Sequence, residues 1–253
     1  MLATHNLTIR FGGHVAVNDV SCRFEPGTLT AIVGPNGAGK TTYFNLISGQ
    51  LPASAGAVLI DGVEATKLGA ARRAKLGIGR AFQLTNLFPN LTVHENVRLA
   101  VQARAGGGAD ILSRWSSRID WIERADQFIE AANLADKRDT PAVALPHGDK
   151  RKLEVAIMMA LEPHVFMFDE PTAGMSVDDV PVILDLIKAL KGAGDKTILL
   201  VEHKMDVVRS LADRIVVLHN GRLVADGEPA EVIGSAVVQE AYLGVASKGA
   251  AHA

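Results

Sequence analysis

The feature that most constrains the fold of this sequence is a glycine-rich segment. It is the run GPNGAGKTT at positions 34–42. It contains Gly34, Gly39, Lys40 and Thr41 at the spacing G-x-x-x-x-G-K-[ST], after the apolar run LTAIV and before a helical pattern. Glycines let backbone N–H groups close around an anion, and the start of a helix adds partial positive charge. The segment therefore predicts a phosphate-binding loop between a buried strand and a helix.

Three side chains of this loop have expected contacts with a bound triphosphate. Lys40 reaches the β and γ phosphates, Thr41 offers its hydroxyl to Mg²⁺, and Thr42 bonds another phosphate oxygen. A glycine turn with an incidental lysine is the alternative, and the strand and helix around the loop disfavour it. The loop residues assigned to ATP binding are Asn36, Gly37, Ala38, Gly39, Lys40, Thr41 and Thr42.

Two later apolar runs also end in polar residues, VFMFDE at 165–170 and ILLVEH at 198–203. Ligands of open α/β sheets bind beyond the carboxyl ends of the strands, so these residues are expected beside the loop. Asp169 suits Mg²⁺, Glu170 suits taking a proton from the attacking water, and His203 could sense the γ-phosphate. Alone, the acidic pair could cap a helix and the histidine could be structural; together with the loop they indicate catalysis.

The order of apolar patterns predicts an α/β protein. Short strands fill 4–33, helical spacing dominates 84–160, and strand–helix alternation returns after 163. The runs VFMF, TILLV and RIVVL are nearly continuous, as in parallel strands that are buried on both faces. Helical patterns are expected at 40–48, 93–103, 119–134, 152–161, 178–191 and 204–212, and a further strand pair at 57–62 and 77–82.

Charge balance and the single cysteine limit the function classes. The formal net charge is −2, so a nucleic-acid partner is not expected. The lone Cys22 cannot form an internal disulfide, which favours a reducing compartment and a core position for this thiol. We find no signal-peptide pattern and no run of the roughly 18 apolar residues that cross a bilayer. The chain is expected not to span a membrane alone, although it could dock on a protein that does.

The order of these motifs resembles the nucleotide-binding domains of ABC transporters. The resemblance covers about 4–244 and rests on GPNGAGKTT, AFQ, LPHGDKRKLE, VFMFDEP and VEH. RFGG, DEPTAGM, VEHKMD and AYLG add a likeness to the ATPase subunits of branched-chain amino-acid importers. The likeness implies a P-loop NTPase core with a parallel sheet (1–83 and 161–245), an N-terminal antiparallel β subdomain, a helical subdomain inserted at 84–160 and a tail at 246–253.

The resemblance also implies roles for residues outside the phosphate loop. Phe11 matches the aromatic residue that stacks on adenine, with Val17 packed beside it; a core position is the alternative for Phe11. Gln83 matches the glutamine that approaches Mg²⁺ and couples the site to the helical lobe. The lobe, around 84–105, would receive a short helix from the membrane subunit.

The family works as a head-to-tail pair, in which each site is completed by the signature segment of the other chain, most often LSGGQ. The matching stretch here is Leu145, Pro146, His147, Gly148 and Asp149. Pro146 replaces a serine and removes a hydroxyl and an N–H, and Asp149 brings a negative charge in place of an amide. His147, Lys150 and the start of the following helix could compensate. Ser176 also stands where an aspartate is usual.

By this likeness the chain is an ATPase subunit, with ATP and Mg²⁺ as cofactors, that powers import of branched-chain or other hydrophobic amino acids. Its implied partners are transmembrane permease subunits, a second identical or similar ATPase subunit, and indirectly a periplasmic substrate-binding protein, at the cytoplasmic face of the inner membrane. An exporter ATPase, a non-transport ATPase acting on nucleic acid, and a module that holds ATP without turnover are the alternatives. Asp169, Glu170 and His203 together favour turnover.

Overall fold

Two β-sheets form the framework of the chain, in a computed structural model that describes residues 1–81, 87–106, 118–236 and 238. The strands in chain order are β1 (Leu2–Phe11), β2 (His14–Phe24), β3 (Leu29–Val33), β4 (Ala55–Ile60), β5 (Val63–Glu64), β6 (Ile78–Ala81), β7 (Val165–Asp169), β8 (Thr197–Val201), β9 (Arg214–His219) and β10 (Arg222–Gly227). One sheet is antiparallel, with the order β2-β1-β4-β5. The expected antiparallel β subdomain is therefore confirmed.

The second sheet has the order β10-β9-β3-β8-β7-β6, and its strand pairs are parallel except β9 with β10. Every residue of β3, β7 and β8 is buried, as the continuous apolar runs predict for strands covered on both faces. The register places Ile32 and Asp169 each beside Val201, on either side of β8. The carboxyl ends of these three strands therefore reach the same edge of the sheet.

Helices cover both faces of the parallel sheet. The helices formed by the described residues are α1 (Lys40–Ser48), α2 (Ala70–Lys75), α3 (Val93–Arg104), α4 (Ile119–Ala131), α5 (His147–Ala160), α6 (Val180–Gly192), α7 (Met205–Leu211) and α8 (Pro229–Gly234). Successive residues of β7 enter different cores, because side chains alternate along a strand. Met167 joins the core of Tyr43 and Phe44 of α1, whereas Phe166 joins that of Ile183 of α6.

Helices α3, α4 and α5 pack on one another and form a lobe between β6 and β7 in the chain. Helix α3 begins at a capping box, in which the side chains of Thr92 and Glu95 each accept a hydrogen bond from the backbone N–H of the other. Trp121 is buried in the apolar core of the lobe. The division of the chain at 84 and 160 stays a prediction, since one apolar core continues from the lobe onto the sheet.

Two predictions of local structure are wrong. The segments at 57–62 and 77–82 do not pair, because β4 lies beside β1 in the antiparallel sheet and β6 lies beside β7 in the parallel sheet. Both segments are short and apolar, and such a pattern does not identify the partner strand. Helix α5 begins at His147 and not near 152, because its polar first turn carries no apolar spacing. The six-residue helices α2 and α8 are additional elements.

Among the described residues, no helix is both long and apolar enough to cross a membrane. The sequence-based expectations for the segment AYLG at 241–244 and for the tail at 246–253 lie outside the described residues.

Candidate functional site

The loop between β3 and α1 requires glycine at two positions. A Cβ atom at Gly34 would lie 2.1 Å from the carbonyl oxygen of Leu218. Gly39 has a φ of 98°, and a Cβ atom there would lie 2.5 Å from the carbonyl oxygen of Ala16. Only glycine allows this close approach of backbone to backbone. The loop is thus held tightly against the sheets, with α1 beginning at its end.

Lys40, the first residue of α1, is buried and folds back over the loop. Its Nζ donates to the carbonyl oxygens of Gly34 at 2.6 Å and Pro35 at 3.0 Å. Burial lowers the pKa of Lys40, whereas the negative charges of Glu170 and Asp169 act in the opposite direction. The charges of both acidic residues therefore act on the Lys40 ammonium group.

A cavity of about 330 Å³ lies over the start of α1. Its walls are His14, Ala16, Asn36, Gly37, Ala38, Gly39, Lys40, Thr41, Thr42 and Glu170. The seven loop residues predicted to bind ATP line this one cavity together with the predicted catalytic carboxylate. His14 and Ala16, on β2, are wall residues that sequence reasoning missed, because nothing in the pattern of β2 shows which strand end faces the loop.

Asp169 and Glu170 follow one another at the end of β7 but occupy different environments. Asp169 is buried and forms an ion pair with Arg80, whose Nη2 lies 2.8 Å from Oδ2. Burial raises the pKa of Asp169, and the Arg80 charge opposes this shift. Glu170 has a left-handed backbone with a φ of 50°, and its N–H donates to the carbonyl oxygen of Val201. This turn directs the second carboxylate to the cavity while the first stays in the core.

His203 lies beside Glu170, with Nδ1 of the histidine 3.8 Å from Oε1 of the glutamate. The backbone around His203 is held by Glu202, which is fully buried. Oε2 of Glu202 accepts hydrogen bonds from the N–H groups of His203 and Lys204, and Oε1 accepts one from Oγ1 of Thr172. Glu202 therefore connects the turn after β7 to the turn after β8. Sequence reasoning missed this role, although a glutamate at the end of an apolar strand is a detectable signal.

The oxygen atoms at this edge of the sheet fit a magnesium ion. Mg²⁺ prefers one or two carboxylates, hydroxyl groups, waters and phosphate oxygens. The cavity offers the hydroxyl of Thr41, which follows β3, and the Asp169 carboxylate lies at the end of β7, two strands away in the same sheet. Gln83, the third predicted magnesium ligand, lies outside the described residues. Among the residues that the structure describes, no group of three or more His, Cys, Asp or Glu side chains could hold a metal ion.

The two residues predicted to meet adenine differ in exposure. Phe11, at the end of β1, is 50% exposed and so is available to stack on a base. Val17 has no exposed surface, and its side chain lies beneath Gly39 of the loop. In this conformation Val17 supports the loop from below, and its contact with the base stays a prediction.

The segment that matches the family signature leads into α5. Leu145 is buried, Pro146 is the N-cap residue, and His147 and Gly148 begin the helix. Asp149 is also buried, and it pairs with Lys137 and, at 3.1 Å, with Lys152. Lys152 in turn lies 2.5 Å from Asp179 in the segment that follows β7. The negative charge of Asp149 is thus neutralised inside the chain, whereas the sequence suggested that it would face a partner's nucleotide.

The fold and this cavity define a P-loop protein with catalytic-type carboxylates at its strand ends. A family model described as ABC transporter matches residues 17–173, and the chain belongs to this family. It is 35% identical over 251 residues to the high-affinity branched-chain amino acid transport ATP-binding protein LivG of Escherichia coli (strain K12), which covers 97% of this chain and 98% of LivG. The chain is accordingly an ATP-hydrolysing, nucleotide-binding subunit of the ABC type.

Solved structures agree with this assignment. The ADP conformation of an ATP-binding cassette of an ABC transporter superimposes with a TM-score of 0.80 at 29% identity, covering 97% of this chain and 99% of that one. A dimeric structure of a post-hydrolysis state of another ATP-binding cassette, bound to ADP and Pi, has a TM-score of 0.77 at 26% identity. It covers 90% of this chain and 99% of the cassette. The predicted fold class is therefore confirmed.

Proposed function

We propose that this chain powers the import of branched-chain or other hydrophobic amino acids. Support comes from the homology to LivG over nearly the full length of both chains. The chain would act at the cytoplasmic face of the inner membrane with permease subunits that carry the substrate. A periplasmic binding protein would deliver the substrate to those subunits. Export would need the same ATPase cycle, and the homology favours import.

In the proposed catalytic site, the side chains of α1 and of the strand ends have separate roles. Thr41 and Asp169, with Gln83, would hold Mg²⁺, which supplies positive charge at the β and γ phosphates when bound. Lys40 would exchange the carbonyl oxygens of Gly34 and Pro35 for phosphate oxygens. The amides of the glycine loop would surround the same phosphates, since the start of α1 favours an anion.

Glu170 is the residue that we propose to accept the proton. Glu170 lines the cavity beside the loop, where it would orient a water molecule and take its proton as the oxygen attacks the γ-phosphate. His203, 3.8 Å from Glu170, would bond the γ-phosphate and report its loss. Glu202 would keep the backbone of His203 in place, because its carboxylate accepts hydrogen bonds from the N–H groups of His203 and Lys204.

A second ATPase subunit would complete the site. The proposed trans contact comes from Leu145, Pro146, His147, Gly148 and Asp149, at the start of α5. Because Asp149 is paired inside the lobe, this contact would be made by the main chain and by His147, which is exposed. Phe11 would stack on adenine in the chain that holds the phosphates.

The observation that carries the proposal is the single cavity shared by Lys40 and Glu170. The test measures phosphate release by the purified chain and by Glu170→Gln, with the exposed Glu64→Gln as matched control. Loss of a general base lowers turnover by about 10²–10⁴, while ATP binding survives. Near-normal turnover in Glu170→Gln would remove this residue from the role, and no turnover by the unmodified chain would favour a module that only holds ATP.

The transported substrate needs a separate measurement. Vesicles containing the chain with its permease subunits and binding protein are supplied with ATP and radiolabelled leucine. Uptake that requires ATP, together with leucine-stimulated phosphate release, is the expected result. Stimulation by a polar solute and not by leucine would contradict the assignment of the cargo while leaving the ATPase assignment intact.

A further inference from the structure

Arg80 occupies a buried position next to the site. It lies on β6, directly beside Met167 of β7 in the sheet register. Side chains two residues apart on a strand share a face, so Asp169 lies on the same face as Met167, the face that α1 covers. The Arg80 side chain is only 7% exposed there. Its charge is thus placed between the end of β7 and the helix that carries Lys40.

The guanidinium group of Arg80 binds both neighbours at once. Nη2 donates to Oδ2 of Asp169 at 2.8 Å. Nη1 donates to Oδ1 of Asn45 at 2.7 Å and to Oγ of Ser48 at 2.8 Å, both on α1. The same group lies over the ring of Phe44, 5.6 Å from the ring centre. A planar group with several donors in fixed geometry therefore links the carboxylate to the helix.

Arg73 offers a comparison, because it braces the same helix without contacting Asp169. It is almost fully buried and donates to the carbonyl oxygens of Leu46 and Ile47 near the end of α1. Further bonds reach the carbonyl oxygens of Thr66 and Leu68. Both arginines donate hydrogen bonds to α1. The bond to Asp169 is therefore the feature that distinguishes Arg80 from Arg73.

We propose that Arg80 is a positioning residue of the nucleotide site, which holds Asp169 by one oxygen and fixes it relative to α1 for binding of a divalent cation. The inference rests on the proposed function and adds a residue to that site. Helix α1 is about 13 Å long, and Thr41 lies in its first turn. Because a helix is rigid over this length, the hydrogen bonds from Arg80 to Asn45 and Ser48 also fix the distance between Thr41 and Asp169. Bonding Oδ2 leaves Oδ1 for the cation or one of its waters.

The test compares Arg80→Lys with Arg73→Lys in the full chain. Mn²⁺ serves as the probe, and its binding in the presence of ADP is followed by electron paramagnetic resonance. Calorimetry with ADP in EDTA gives the metal-free nucleotide affinity, and thermal unfolding gives stability. Lysine keeps the positive charge but cannot span Asp169 and α1, and partners of metal ligands typically contribute about 10–100-fold to metal affinity. We expect a loss of about tenfold or more in Mn²⁺ affinity for Arg80→Lys, with metal-free ADP affinity unchanged.

The control separates this role from simple bracing. Arg73→Lys is expected to lower the unfolding temperature and to leave Mn²⁺ affinity unchanged. Equal Mn²⁺ affinity in the wild type and Arg80→Lys overturns the proposal, as does an equal loss in both variants. If Arg80→Lys does not fold, the double variant Asn45→Ala, Ser48→Ala removes the helix side of the link, and unchanged Mn²⁺ affinity there overturns the proposal. A wild-type chain that binds no ADP contradicts the proposed function instead.

Discussion

Helices α1 and α5 both begin at segments that we propose to contact nucleotide, but the charged residue in the first turn of each helix lies in a different environment. Helix α1 starts after a glycine loop, and its charged residue, Lys40, lines the cavity with Glu170. Helix α5 starts after Pro146, and the acidic residue of its first turn, Asp149, is buried against two lysines. One helix start therefore presents its charge to the cavity, and the other encloses its charge in the lobe.

This difference explains how an altered signature can remain compatible with an ATPase. The first N–H groups of any α-helix have no partner inside the helix, and the helix dipole favours an anion there. Pro146 removes one such donor, but His147, Gly148 and Asp149 keep theirs. With the Asp149 carboxylate neutralised, the start of α5 can offer backbone donors without repelling a phosphate. Under the proposed function, the charged contact to phosphate would come from Lys40 of α1, and the start of α5 in a second subunit would add main-chain donors.

Replacing the lysine of each helix start gives the largest expected contrast. Lys40→Ala should weaken ATP binding by about 2–5 kcal/mol, since it removes one partner of a buried, charge-assisted contact. Lys150→Ala, on the first turn of α5, should leave ATP affinity of the isolated subunit unchanged. Isothermal calorimetry measures both. Unchanged affinity in Lys40→Ala would count against the phosphate-loop assignment.

The enclosed charges of the lobe should matter for stability and not for nucleotide affinity. Lys152→Met leaves Asp149 and Asp179 short of a partner, and we expect a loss of about 1–3 kcal/mol in the free energy of unfolding. The control is Lys188→Met, which breaks an exposed ion pair with Asp185 and should cost less than about 1 kcal/mol. Urea denaturation checks both variants. A Lys152→Met chain as stable as the control variant would show that the enclosed pairs do not hold the lobe.

A smaller effect is expected at Phe11, the residue that we propose to stack on adenine. Phe11→Ala should weaken ATP binding by about 0.5–1.5 kcal/mol, the usual contribution of aromatic stacking. Phe88→Ala, which removes an equally exposed ring on the lobe, is the matched control and should leave ATP affinity unchanged. Fluorescent-nucleotide titration is sensitive enough for this difference. Equal affinities in the two variants would assign Phe11 to another role.

The smallest effect concerns acid stability of the lobe. Burial, with help from the Arg138 charge, lowers the pKa of His94 on α3, while Asp126 opposes the shift. Below pH about 6.5 the unfolded chain then binds more protons than the folded one, so this contribution to stability is present above that pH and is lost as pH falls. His94→Gln should therefore lose less stability than the wild type between pH 7.5 and 5. Parallel pH curves of unfolding temperature would contradict this.

The sequence pattern was sufficient to predict the parts of the molecule that depend on residues close together in the chain. Residue order predicts the phosphate loop, helix α1 and the ends of β3, β7 and β8, because glycine spacing and apolar runs are properties of short segments. The fully buried position of Val17 and the inward direction of Asp149 could not be predicted in this way. Asp149 depends on Lys137, and Arg80 depends on Asp169, which lies 89 positions further along the chain. Such contacts are set by packing between distant elements.

The most direct measurement is a crystal structure of the Glu170→Gln chain with ATP and Mn²⁺, in which anomalous diffraction locates the metal. We expect the metal between Asp169 and Thr41, with Lys40 and His203 bonded to phosphate oxygens of the same nucleotide. Manganese bound elsewhere, or a nucleotide that contacts only one of these strand ends, would contradict the convergence of the site on a single triphosphate.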